Sequence, residues 1–328
     1  ANVEFLEING QTFDMTKDVQ LFDENDFLVG TYDTIQDAHA DAADGYRIDL
    51  VGTVTGQSLT IAHDNLRIQG GADDTGNVFT LGSGITTITL LGDAPFDVIG
   101  NNLANVITGN DGDNTIRGNG GTDVLDGGEG SDTYEVSGTG HGFDSFTDTG
   151  AGGSDVDTIV ALSNNTDFGL LGDFGSANGI EEISANGFAN IDIKGDGTGN
   201  ALDFSGVTLT DIARVLGQGG NDTITVSRNF TGNTLYDGGT GEDTLRIKLT
   251  LAEVLNPAIY GELNAFNAAL PAPQGGATPF SFTTLGFRAV NFEHFEGLVD
   301  IGGFTASFEN VILGTNGSDT ITPLSISA

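Results

Sequence analysis

The sequence predicts an all-β fold, a solenoid of stacked parallel strands closed by short capping helices. Three observations predict it. A nine-residue unit, rich in glycine over its first four places and apolar at its eighth, recurs in unbroken frame through 109–135. Short apolar segments alternate with polar turns over most of the remaining chain. Glycine and acid are both in excess, with 51 glycines and 47 acidic against 10 basic residues, for a net charge of −37. A fixed period means that each unit buries its apolar residue only by stacking on the next. Such a charge ordinarily keeps a chain unfolded, yet 38% of the residues are hydrophobic, which is enough to build a core. The acidic groups therefore need a counter-charge, and a divalent cation is the simplest candidate.

Residues 1–99 read as an N-terminal cap followed by the first coils. Within 31–52, Ile35, Ala38, His39, Ala42 and Ala43 share one helical face by their three-four spacing, and Gly45 ends the helix before a strand. The stretch looks like the N-terminal cap of right-handed β-helix proteins, which shields the first coil from edge pairing. Strands are expected at Ser58–Ile61, Leu66–Ile68, Val78–Leu81 and Ile85–Leu91.

Residues 100–136 hold the repeat block. Its units are GNDGDNTIR (109–117), GNGGTDVLD (118–126) and GGEGSDTYE (127–135), preceded in frame by GNNLANVIT (100–108). Glycines at the first, second and fourth places allow positive φ and close approach of neighbouring turns. The carboxylate or amide at the sixth place points into the loop. The eighth place (Ile107, Ile116, Leu125, Tyr134) enters a short strand and faces the core. If two units make one coil, loops 18 residues apart stack, with Asn105 over Asp123 and Asn114 over Asp132. Ca²⁺ takes six to eight oxygen ligands, and two stacked loops offer side-chain oxygens plus glycine-loop carbonyls.

These units resemble the RTX family, the haemolysin-type calcium-binding repeats of secreted bacterial proteins. The resemblance implies a right-handed parallel β-helix or β-roll that binds several Ca²⁺ ions and leaves the cell unfolded by type I secretion. In the first block it implies metal contacts from Asn105, Gly109, Asp111, Asn114, Gly118, Gly120, Asp123, Gly128, Gly130 and Asp132. Further copies at 217–225, 238–246 and 314–322 add Asp222, Asp243 and Asp319, and a looser one occupies 195–203. Asn105 and Asn114 depart from the sixth-place carboxylate, so each stacked pair of the first block is expected to carry one carboxylate rather than two.

Residues 137–248 read as further coils with a second repeat block, in which Asp222 and Asp243 are 21 residues apart. That is one 18-residue coil plus three extra residues, which suggests a bulged edge starting near Asn200. Residues 249–313 read as helix plus strands. Thr250 and Glu253 form a capping box, Pro257 starts a second helical piece, and Ile259, Leu263, Phe266 and Leu270 line one face. The phenylalanines of 280–308 are expected in the core. Residues 314–328 begin another repeat, which suggests a segment of a longer protein.

Several functions are excluded or disfavoured. The negative field repels the phosphates of nucleic acid and anionic headgroups, and no run of 18 apolar residues predicts a membrane span. With no cysteine, extracellular stability must come from another crosslink. There is no HExxH, GxSxG or GxxxxGK motif, His39 is expected to be packed, and the chain reads as non-enzymatic. The leading expectation is a calcium-binding structural or adhesive protein of the cell surface, a surface-layer, filament or adhesin segment, with self-assembly or a surface glycan as its partner. The alternative is the non-catalytic part of a carbohydrate-active β-helix enzyme such as an epimerase or lyase.

Overall fold

The computed structural model describes residues 4–8, 10–150, 155–270, 278–301 and 304–308. It is an all-β parallel solenoid in which helices are minor, and it divides into two compact units. Among the described residues, no helix is long and apolar enough to cross a membrane.

The first unit comprises Ala1–Leu162 with Asn178–Glu182. Successive strands of its coils alternate between two parallel sheets. One sheet runs Ser58–Ile61, Val78–Leu81, Asp97–Ile99, Thr115–Arg117, Thr133–Val136 and Thr158–Ala161. The other runs Arg47–Leu50, Leu66–Gly70, Thr87–Gly92, Val106–Thr108, Val124–Asp126 and Ser145–Thr147. Each nonapeptide gives one strand and two give one coil, so Ile107 lies over Leu125 and Ile116 over Tyr134. All four of these eighth-place side chains are buried.

The N-terminal end is closed by more than the expected helix. Helix α1 (Ile35–Asp41) is capped by Thr34, whose side chain accepts from the Asp37 amide, and it buries Ile35, Ala38 and His39. It ends at an extended Ala42, so Ala43 lies beyond it and is exposed. His39 is packed, its Nε2 accepting from the Ala62 amide. Beside α1, Val19–Phe22 adds antiparallel to Arg47–Leu50, and Leu28–Tyr32 adds antiparallel to that. These strands cover the edge of the first coil.

The second unit comprises Ser163–Ala177 and Ile183–Ala328. One parallel sheet holds Asp167–Gly169, Asp192–Lys194, Arg214–Leu216, Leu235–Asp237 and Phe287–Val290. A second holds Ala201–Asp203, Thr223–Thr225, Thr244–Thr250 and His294–Ile301. A third strand per coil appears here, where Thr208–Thr210 pairs with Asn229–Phe230. The extra residues of these coils therefore build a strand rather than the expected bulge.

Between Thr250 and Phe280 the chain leaves the coils. Helix α2 (Leu251–Val254) carries both limbs of the Thr250–Glu253 capping box. Helix α3 (Pro257–Ala268) starts on Pro257 and buries Ile259, Leu263 and Phe266, while Leu270 falls past its end. Phe266 meets Phe280, Phe282 and Phe295 with ring centroids 5.1–5.9 Å apart, and Phe282 stacks on Phe287 at 4.5 Å. Phe266, Phe282, Phe287 and Phe295 are core and Phe280 is half-buried beside them, each pair adding roughly 0.5–1.5 kcal/mol beyond area burial.

Candidate metal centres

The sixth-place side chains of successive coils form hydrogen-bonded ladders. In the first unit, the Asn105 amide N–H donates to Asp123 Oδ1 at 2.8 Å, and the Asp123 N–H donates to Asp144 Oδ1 at 2.9 Å. One strand further on, Asn114 N–H donates to Asp132 Oδ1, Asp132 N–H to Asp157 Oδ1, and Asp157 N–H to Glu181 Oε2, at 2.7, 2.7 and 2.9 Å. The second unit repeats the device: Asn200 to Asp222, Asp222 to Asp243, and Asp243 to Glu293, each at 2.8 Å. Every ladder starts on an asparagine and continues on acids.

The asparagines are internally satisfied. Asn105 Oδ1 accepts from the Asn101 amide, and Asn105 Nδ2 donates to the Ile85 carbonyl. Asn114 is bonded to Asn110 in the same way, through Oδ1 and Nδ2. The acids are not. In Asp123, Asp132, Asp222 and Asp243, Oδ1 takes the neighbouring amide while Oδ2 is buried with no hydrogen-bond partner. Each of these residues is at most 1% exposed. Burial alone does not orphan an oxygen, because buried Asp74 satisfies both of its own on the Val54 and Gly71 amides. A buried carboxylate oxygen without a partner is costly, so four in equivalent places argue for a ligand that meets them.

The loops make room for these oxygens by omitting a Cβ. A Cβ on Gly118 would overlap Asp123 Oδ2, and one on Gly127 would overlap Asp132 Oδ2. On Gly217 it would stand 2.5 Å from Asp222 Oδ2, and on Gly238 it would stand 2.9 Å from Asp243 Oδ2. Gly109 is cleared in the same way for Asn114 Oδ1. The first-place glycine is thus a matter of space. Left-handed backbone falls instead at the second and fourth places, at Asn119, Gly121, Gly128 and Gly130.

Burial is the dominant electrostatic influence. It pushes Asp132, Asp144 and Asp157 up to about 7 and Asp222 up to about 6, and it raises Asp123 and Asp243. Hydrogen bonds to the ladder amides oppose the shift, while acidic neighbours add to it for Asp132, Asp144, Asp157, Asp222 and Asp243. Anionic, oxygen-only and short of positive partners, the set suits a hard divalent cation.

Residues 99–134 match the RTX calcium-binding nonapeptide repeat in four copies. The chain carries RTX repeats. No curated protein and no solved structure matches it.

Against the RTX pattern, the structure brings most of the expected residues together and leaves some out. Asn105, Asn114, Asp123 and Asp132 stack in the expected 18-residue register. Asp222 and Asp243 stack with Asn200 as their first rung. Gly120 occupies a loop third place, and Asp111, also at a third place, is exposed and outside the ladder. Asp319 lies outside the described residues. Each of these two pairs holds one carboxylate, but the ladder runs further than the two pairs, because Asp123 and Asp132 also stack on Asp144 and Asp157. Spacings of 21 and 25 residues hid those partners from the nine-residue frame. Glu181 and Glu293, which close two ladders, were missed for the same reason, at spacings of 24 and 50.

Proposed function

We propose that the chain is a calcium-dependent structural or adhesive protein of the cell surface, exported unfolded by type I secretion and folding on Ca²⁺ outside. Asp123, Asp132, Asp222 and Asp243 hold the ions through Oδ2, with glycine-loop carbonyls beside them. The bound cation supplies the positive charge that these buried carboxylates lack. Their four partnerless oxygens are the observation that carries the reading. Ca²⁺ near 10⁻⁴–10⁻³ M outside the cell matches modest loop sites, whereas a cytosolic chain would stay unloaded. Self-assembly or glycan binding would then be a property of the loaded form.

Circular dichroism and melting of the whole chain with and without calcium test this. Two ions held at about 100-fold over their dissociation constants contribute about 5 kcal/mol together, which for a chain of 328 residues corresponds to a melting shift of about 8 °C. We expect at least that shift, with loss of β-signal in chelator. An unchanged spectrum and melting temperature contradict the reading.

A further inference from the structure

We propose that Asp148 and Asp157 complete the Ca²⁺ site of Asp132 at the point where the nine-residue period ends, so that one ion is held by one repeat residue and two residues outside the repeats. One carboxylate oxygen from each lies within 4.8 Å of those of the other two. Oxygens gathered this closely can share one cation, and an all-carboxylate set without a preformed octahedral cage suits Ca²⁺.

A second observation points to a ligand. Asp132 is 1% exposed, its Oδ1 accepts from the Asn114 amide, and its Oδ2 has no partner. That oxygen and the Tyr134 hydroxyl converge where Gly127 lacks a Cβ. The same hydroxyl donates to the carbonyl of Thr147, the residue before Asp148. The orphaned oxygen therefore faces the turn that carries Asp148.

Among the described residues, the charged groups acting most on the three carboxylates are Asp113, Asp126, Asp155 and Glu181 together with one another, and none of these is basic. Three ionised carboxylates this close repel unless a cation lies between them. Asp148 follows strand Ser145–Thr147 and Asp157 precedes strand Thr158–Ala161, so an ion here ties the last RTX loop to both strands after it. The site shares Asp132 with the ladder of the proposed function but stands on Asp148, which belongs to no ladder.

Asp148→Asn tests it, because Asn keeps the shape and removes the charge. Calcium bound per chain is counted by equilibrium dialysis for the wild type, Asp148→Asn, Asp123→Asn and Asp222→Asn, alongside Tb³⁺ emission excited through tyrosine. Tyr134 beside the site makes sensitised Tb³⁺ emission the expected wild-type result, and its absence overturns the proposal. Asp148→Asn should bind one Ca²⁺ fewer and lose at least about tenfold in Tb³⁺ affinity, since even indirect ligand support is worth 10–100-fold. Its calcium-free melt should be no lower than that of the wild type, which separates loss of the ion from loss of the fold. A wild-type calcium count and Tb³⁺ titration in Asp148→Asn overturn the site. If Asp123→Asn and Asp222→Asn keep the full count while Asp148→Asn loses one ion, the loop sites fail and this one stands.

Discussion

The RTX block of the first unit and the coils around 192–246 of the second solve one problem with different frames. In the first, two strands make a coil and loops recur every 18 residues. In the second, a third strand enters and the rungs lie 22 and 21 residues apart. Yet both corners carry the same ladder, an asparagine and then acids, with a cleared first-place glycine and an orphaned Oδ2 beside it. The length of the coil is free to change, while the chemistry of the corner is kept. The corner, rather than the period, is therefore the unit tied to function.

The largest effect expected from this comparison is a reversal of sign. Asp123→Asn in one unit and Asp222→Asn in the other should each lower stability by about 1.5–3 kcal/mol in calcium, the range for a hydrogen-bonded or paired charged group. Without calcium, both should be as stable as the wild type or more so, because each removes an uncompensated buried charge. Thermal melts of both variants in both conditions check this. A reversal in the first unit alone would break the equivalence of the two corners.

Space at the first-place glycine is the next effect. Gly127→Ala meets Asp132 Oδ2 and the Tyr134 hydroxyl without any unfavourable φ, so it should weaken calcium binding. Gly138→Ala meets nothing within 4 Å and suffers only from its φ of +78°. It should cost about 1 kcal/mol through backbone strain and leave calcium affinity unchanged. Calcium titration calorimetry on the pair distinguishes a steric corner from a conformational one.

The nine-residue frame made much of this legible. It placed Asn105 over Asp123 and Asn114 over Asp132, because equal spacing in a parallel stack is equal position. The Thr250–Glu253 box and Pro257 announced α2 and α3 through purely local chemistry. Asp144, Asp157, Glu181 and Glu293 were hidden because loop length shifts their number without shifting their place in the stack. The third strand of the second unit was hidden because three extra residues read equally well as a bulge. Strands Val19–Phe22 and Leu28–Tyr32 pair antiparallel, a choice set by the edge they cover rather than by any repeat.

A further effect, on pH, belongs to the calcium-free protein. In calcium-free protein, Asp132, Asp144 and Asp157 sit near 7 against about 3.9 when unfolded, so the folded state binds protons more tightly. Stability should then rise as pH falls from 8 to 6. The groups held low, such as Asp196 at about 2, oppose this only in stronger acid. A calcium-free melting temperature that falls over this window would contradict the assignment of these carboxylates as uncompensated.

The most direct measurement is anomalous diffraction from crystals of the whole chain grown in Ca²⁺. Ion peaks are predicted at Oδ2 of Asp123, Asp132, Asp222 and Asp243, about 2.3–2.6 Å from each oxygen. Waters or protein donors at those oxygens, with no ion at any of the three ladders, would contradict the account.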